Sequence, residues 1–171
     1  METPMIKTAR LRIRQLNEDD ADPILELLND TDFLRYIGDR GVRSLEDARS
    51  YIRSGPMQSY QTHGFGLNHV ATVGAEDFIG ICGLLKRDWL PEPDLGFAFL
   101  PAFRAHGFAT ESALAVLEHG RRALGVKRVL AITAMENPAS VRLLEKLGFR
   151  EQEPVQAPGQ STMSRLFAQD D

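Results

Sequence analysis

The residues with the clearest chemical potential lie between a strand and a helix. Phe97-Ala98-Phe99-Leu100 leads through Pro101-Ala102-Phe103-Arg104-Ala105-His106-Gly107-Phe108-Ala109 to a helix opening at Thr110. Gly107 at the helix start lets backbone N–H groups converge with no Cβ in the way, and the helix dipole adds positive potential there. With the charge of Arg104, the stretch suits an anionic phosphate; it equally describes an ordinary strand-to-helix turn with a surface arginine. No G-x-x-x-x-G-K-S/T pattern occurs, and Gly64-Phe65-Gly66 lacks the rest of a dinucleotide fingerprint, so nucleoside triphosphate and NAD readings fall behind. Asn137 before Pro138 reads as a helix N-cap with proline at the first helical position, a role compatible with a ligand contact. Leu143, Leu144 and Leu147 recur at core spacing. Cys82 reads as a small buried hydrophobe. His63, His69, His106 and His119 lack metal-ligand spacing, so no metal is expected, and His106 matters through its backbone.

The elements that must position these residues follow from periodicity. Ala9 to Leu16 alternates apolar and basic residues, a strand with one buried face. Asn17-Glu18-Asp19-Asp20 caps a helix carrying Ile24, Leu25, Leu27 and Leu28, which stops near Asn29-Asp30. Ser44 caps a second helix, Leu45 to Arg53, predicted to end at Ser54-Gly55-Pro56 because proline cannot continue it. Gly66 to Val73 and Phe78 to Leu85 form a hairpin, and Asp94 to Leu100 is a further strand closed by Pro101. An amphipathic helix from Ala109 to Leu124 ends at Gly125; Val126 to Thr133 is a strand, and Pro138 to Leu147 a helix stopped by Gly148. A last hairpin joins Phe149 to Val155 with Thr162 to Ala168 around Pro158-Gly159. The order β α α β β β α β α β β describes one α/β domain with a mixed sheet over residues 1–171.

Composition narrows the classes further. With 171 residues the chain buries roughly 70% of its unfolded surface and needs no staple. One cysteine makes an internal disulfide impossible, which points to a reducing, cytoplasmic compartment. Residues 1–20 show no apolar stretch of a secretory signal, and no window reaches the ~18 apolar residues of a membrane span. A net charge of −4 and pI near 5.6 argue against a nucleic-acid partner.

Two segments together resemble a known superfamily. Arg104-Ala105-His106-Gly107-Phe108-Ala109 matches the Q/R-x-x-G-x-G/A signature of the GNAT N-acyltransferases. Asn137-Pro138-Ala139-Ser140-Val141-Arg142-Leu143-Leu144-Glu145-Lys146-Leu147-Gly148-Phe149 is similar to their N-x-x-S/A-x-x-L-x-E-K-L-G-F segment, in family order and spacing. Thr8 to Arg14 followed by Glu18-Asp19-Asp20-Ala21 resembles the branch of the ribosomal-protein N-terminal acetyltransferases. The resemblance implies a mostly antiparallel sheet of six to seven strands with about four flanking helices, and a parallel central pair splayed for acyl-CoA. That pair is Asp94 to Leu100 with Val126 to Thr133. It further implies an acetyl-CoA-dependent N-acetyltransferase acting on a primary amine, either a protein N-terminal α-amine or a small-molecule amine. The runner-up is a catalytically weak acyl-CoA-binding regulatory domain, and the assembly is a monomer or homodimer. Phe97, Phe99 and Leu100 are implied as backbone partners of the pantetheine amides. The N–H groups of Arg104, Ala105, His106, Gly107, Phe108, Ala109 and Thr110 are implied to hold the pyrophosphate, and Asn137 and Ser140 to contact the pantetheine arm.

By the same resemblance Asp94 is the candidate base, and a solvated strand end after Pro93 describes it equally well. A backbone N–H from Phe97 to Phe99 is the donor to the carbonyl oxygen as it gains charge. Many members carry a proton-donating tyrosine where this chain has Leu144, which leaves Ser140 or an ordered water to protonate the thiolate. From Arg104 to Arg150 there are eight basic and four acidic residues, leaving twelve and twenty elsewhere. The basic segment accords with CoA phosphates, and the acidic remainder with attraction of a cationic amine.

Overall fold

The fold is described from a computed structural model over residues 5–171. Strand β1 (Met5–Lys7) and strand β2 (Leu11–Gln15) form an antiparallel edge pair. In β2 the alternation places Leu11 and Ile13 in the core and leaves Arg12 and Arg14 on the other face. A short 3-10 turn, Glu18–Asp20, then starts the first helix, α1 (Ala21–Leu28). Asn17 Oδ1 accepts the Asp19 N–H at 2.9 Å, and the Asp20 carboxylate accepts the Asn17 N–H at 2.9 Å. Asp20 is buried and also takes both terminal nitrogens of Arg14, at 2.9 and 3.0 Å. That pairing lets a charged group sit in the core.

The helical segment that follows is richer than its sequence suggests. Helix α2 (Thr31–Tyr36) is capped by Asp30, which accepts the Phe33 N–H, and it buries Phe33. Its six residues are too few for periodicity to declare. Helix α3 (Leu45–Ile52) starts at the Ser44 cap as predicted. It does not end at Pro56: residues Arg53–Met57 form a π-turn that leads directly into α4 (Gln58–His63). The wider turn accommodates a residue without an N–H, and burying Pro56 offsets the irregular backbone.

Beyond α4 the chain alternates as read: β3 (Leu67–Thr72), β4 (Phe78–Leu85), β5 (Asp94–Phe99), α5 (Phe108–Leu124), β6 (Arg128–Ala134), α6 (Pro138–Lys146), β7 (Arg150–Val155) and β8 (Ser164–Asp170). The described residues make one eight-stranded sheet in the order β1-β2-β3-β4-β5-β6-β8-β7. All neighbours are antiparallel except β5 and β6. The eighth strand is β1, and α2 and α4 are the helices beyond the four read from sequence. Strand β8 inserts between β6 and β7, pairing with β6 from Arg128–Asp170 to Ala134–Ser164.

Two cores cover opposite faces of the sheet. On one, Leu95, Phe99, Cys82 and Leu84 pack under α5 and α6 with Val116, Leu117 and Leu144. On the other, Ile81 and Leu100 pack under α1 to α3 with Ile24, Leu27 and Ile52. Cys82 is buried and its thiol is pushed up to about 12 by that burial, in keeping with a packing role. Gly80 permits a close approach of β4 to β5: a Cβ there meets the Ala98 carbonyl oxygen at 2.2 Å and Phe99 Cα at 2.8 Å. Gly80→Ala is therefore expected to lower stability by about 1–3 kcal/mol, read as a reduced urea midpoint with unchanged slope.

Candidate active site

The site forms where the central strands part. Asp94 of β5 pairs with Leu130 of β6 in the single parallel register position, and Leu130 donates its N–H to the Pro93 carbonyl at 2.8 Å. Beyond it β5 stays paired with β4 from Leu85–Asp94 to Gly80–Phe99, while β6 stays paired with β8. Backbone groups point to alternate sides along a strand. Since Pro93 faces β6, so do Phe97 and Phe99, and no strand receives them. Buried backbone groups demand partners, so an amide-bearing chain fits this gap as a further strand would. Leu100 departs from its expected role: its N–H donates to Ile79 across the sheet at 2.8 Å, and its side chain lies in the core beneath α1 to α3.

The loop after β5 supplies the second component. Pro101–Phe103 makes a 3-10 turn, Ala105 adopts φ 62°, and Gly107 has φ 80° immediately before α5. No side chain caps α5, and the first helical bond at this end runs from the Glu111 N–H to the Gly107 carbonyl at 3.0 Å. The N–H groups of Phe108, Ala109 and Thr110 are thus left at the positive end of a 17-residue helix. Arg104 does not add its charge to them. Its guanidinium donates to Asp30 at 2.7 Å, to Asp32, and to the Phe99 carbonyl at 2.9 Å, so it ties the loop to α2. Arg104 can contribute only its backbone here, because two carboxylates already neutralise the side chain.

A bracing cluster absent from the sequence reading holds this loop from outside. Arg10 donates to the His106 carbonyl at 3.0 Å and to Glu111 at 2.7 Å, and its guanidinium lies 4.4 Å from the Phe108 ring centroid. Glu111 also accepts the Arg10 backbone N–H and the Thr8 hydroxyl. Burial alone would raise the Glu111 carboxyl, but the Thr8 and Arg10 hydrogen bonds outweigh it and hold the group below the usual range. The only signal in sequence was Arg10 at the start of an alternating strand, and its partner lies 101 positions away.

Asn137 and Ser140 open α6 on the far side of the gap. Asn137 Oδ1 accepts the Ser140 N–H at 3.4 Å, the expected cap, and its amino group donates to no protein group among the described residues. The Ser140 hydroxyl is likewise without a protein partner there. Leu144 is fully buried in the core under α5 and α6.

Asp94 stands at the closed end of the gap and is 1% exposed, which replaces the solvated-strand-end reading. Arg87 Nε donates to its two carboxylate oxygens at 3.0 and 3.2 Å. Burial pushes the Asp94 carboxyl up, and Arg87 reverses that only in part. Asp94 lies directly opposite Leu85, so both side chains emerge on the face of α1 to α4, opposite Phe97 and Phe99. Among the described residues no group of three or more His, Cys, Asp and Glu could hold a metal ion, and no helix is long and apolar enough to cross a membrane.

A mixed sheet with one parted parallel pair, an uncapped helix start beside the gap and a buried carboxylate at its closed end define an acyltransferase of the GNAT type. The profile of the acetyltransferase (GNAT) domain matches residues 10–150, and the chain belongs to that family of acyl-CoA-dependent N-acetyltransferases. It is 30% identical over 151 residues to the N-acetyltransferase YoaA of Bacillus subtilis, covering 87% of this chain and 84% of that protein. An acetyltransferase (GNAT family) from Bacillus anthracis shares its fold with a TM-score of 0.80 at 25% identity, covering 98% of each chain. The RimL ribosomal L7/L12 α-N-protein acetyltransferase, solved in complex with CoA, superposes with a TM-score of 0.84 at 15% identity over 98% of each chain, a likeness of fold.

Glu111→Ala removes the acceptor for three donors. Hydrogen–deuterium exchange of peptides covering Arg104 to Ala109 is expected to accelerate, with a global stability loss of about 1–2 kcal/mol.

Proposed function

We propose that this chain transfers an acetyl group from acetyl-CoA to a primary amine, with Asp94 as the group that receives the amine proton. The reading is carried by one arrangement: unpaired strand backbone at Phe97 and the Phe99 N–H leads at one end to the bare N–H groups of α5 and begins at a buried carboxylate at the other. Acetyl-CoA supplies the activated acyl group as a thioester. The N–H groups of Gly107, Phe108, Ala109 and Thr110 would take its pyrophosphate, with the backbone of Arg104, Ala105 and His106 shaping the loop. The free side-chain amide N–H groups of Asn137, the backbone of Phe97 and the N–H of Phe99 would take its pantetheine arm, since these are the unpartnered polar groups along the gap.

The acceptor must present a neutral amine, and near pH 7 an α-amine of pKa about 7.7–8.0 loses its proton far more readily than a lysine near 10.4. A buried, raised carboxyl is a better base than an ordinary aspartate, and Arg87 keeps Asp94 oriented. As the C–N bond forms and the C–S bond breaks, the Phe97 or Phe99 N–H facing the gap donates to the carbonyl oxygen. The amine proton passes to Asp94. With Leu144 unable to donate, the Ser140 hydroxyl or water returns a proton to the thiolate.

Asp94→Asn is expected to lower kcat by about 10²–10⁴-fold while changing the acetyl-CoA Kd less than about threefold. Because the folded carboxyl is raised, activity should fall as pH drops through its value. That acid limb should vanish in the variant; an unchanged pH profile would remove Asp94 as base. Calorimetry tests the donor site separately. Asn137→Ala and Gly107→Val are each expected to weaken acetyl-CoA binding about tenfold, the second by filling the φ 80° position with a branched side chain. Unaltered affinity in both would overturn the assignment of the gap and loop.

A further inference from the structure

The acceptor side of Asp94 is cationic, although the residues outside the cofactor segment are acidic in sum. Arg87 spends only Nε on Asp94, and its two terminal nitrogens donate to no protein group among the described residues. Next to it, Lys86 Nζ donates to the Arg87 and Leu90 carbonyls at 2.7 Å each, which fixes the ammonium and leaves one N–H. A cavity of about 220 Å³ opens beside Lys86, lined by Tyr51, Leu67, Leu85, the turn at Pro56 and the polar side chains of α4. Leu85, part of that lining, is the residue opposite Asp94 in the sheet. The Tyr51 hydroxyl donates to no protein group. Burial pushes it up, against the opposing pull of Arg40 and Arg87. Asp88 and Glu92, on the connection between β4 and β5, make no ion pair with Lys86 or Arg87 among the described residues.

We infer that the acceptor is a free α-amino acid, held as a zwitterion with its amine toward Asp94 and its carboxylate toward Arg87 and Lys86. This rests on the acetyltransferase reading and narrows its acceptor. An adjacent carboxylate and guanidinium are complementary to a molecule whose ammonium and carboxylate are separated by one carbon. A guanidinium edge with both terminal nitrogens free offers the paired donors that a carboxylate takes. The cavity is smaller than the ~300–1,000 Å³ typical of sites for drug-sized ligands, so it suits one side chain. The two cations oppose a polyamine or an aminoglycoside, since like charges brought together disfavour binding. A peptide N-terminus carries no carboxylate at that spacing.

The test is a steady-state assay with acetyl-CoA and the twenty amino acids, each beside its α-carboxamide, together with a neutral tetrapeptide and spermidine. At least one amino acid should exceed its carboxamide tenfold or more in kcat/KM, chiefly through KM. The carboxamide has the more easily deprotonated amine, so reactivity alone favours the opposite order. Lys86→Met should cut that preference at least fivefold without altering the KM for acetyl-CoA. Turnover of the tetrapeptide or spermidine with none of any amino acid would overturn the inference and leave the acetyltransferase reading intact, as would carboxamides used equally well. Absence of turnover with every amine would remove both.

Discussion

The parting of β5 and β6 after the Asp94–Leu130 bridge is the constraint on which the rest of the structure depends. Each unpaired backbone group along β5 forgoes a hydrogen bond worth about 0.5–1.5 kcal/mol net, so the gap persists only because other contacts hold the strands apart. One side is fixed by β4, whose Gly80 lets Phe99 and Ala98 lie against its backbone. The other is fixed by β8, which pairs with β6 along its whole length. Phe99 and Leu144 share one core under α5 and α6, and that core sets the distance the two strands must keep. The chemistry of the site is thus built largely from backbone left open by packing.

Charge is distributed by the same logic. The segment from Arg104 to Arg150 is basic, yet the arginine of the loop itself is committed to the protein's own carboxylates. Arg104 serves Asp30 and Asp32, and further along Arg122 serves Glu118 and Arg128 serves Asp170. The anion site proposed for the loop therefore rests on the bare N–H groups of α5 and on the left-handed Gly107, with Arg10 working from outside as a brace. Around Asp94 the reverse holds. Arg87 meets the buried Asp94 through Nε alone, which leaves its two terminal nitrogens without a protein partner among the described residues.

Much of the fold was readable because its elements repeat at the periods of their environments. The alternation of Leu11 to Gln15 and the caps Asn17, Ser44 and Asn137 each declared one element correctly. The failures share a cause. Helix α2 is too short to show a period, and at Pro56 the burial of the ring overrode the rule that proline ends a helix. The position of β8 between β6 and β7 was equally hidden, since a hairpin sequence does not say which of its strands joins the sheet.

Residue types and local spacing were enough to mark the turn at Gly107 and the cap at Asn137, because backbone conformation and capping are decided within a few residues, whereas Asp94 entered as a candidate through the resemblance. Sequence alone also marked Leu144 as unable to donate a proton. Only the tertiary structure decided that Arg104 turns to α2, that Leu100 spends its N–H on Ile79, that Arg10 and Glu111 brace the loop across 101 positions, and that Arg87 meets a buried Asp94. Those choices depend on which side chains and strands meet after folding. A charge or a hydrogen-bond donor has no fixed partner until the core has placed its neighbours.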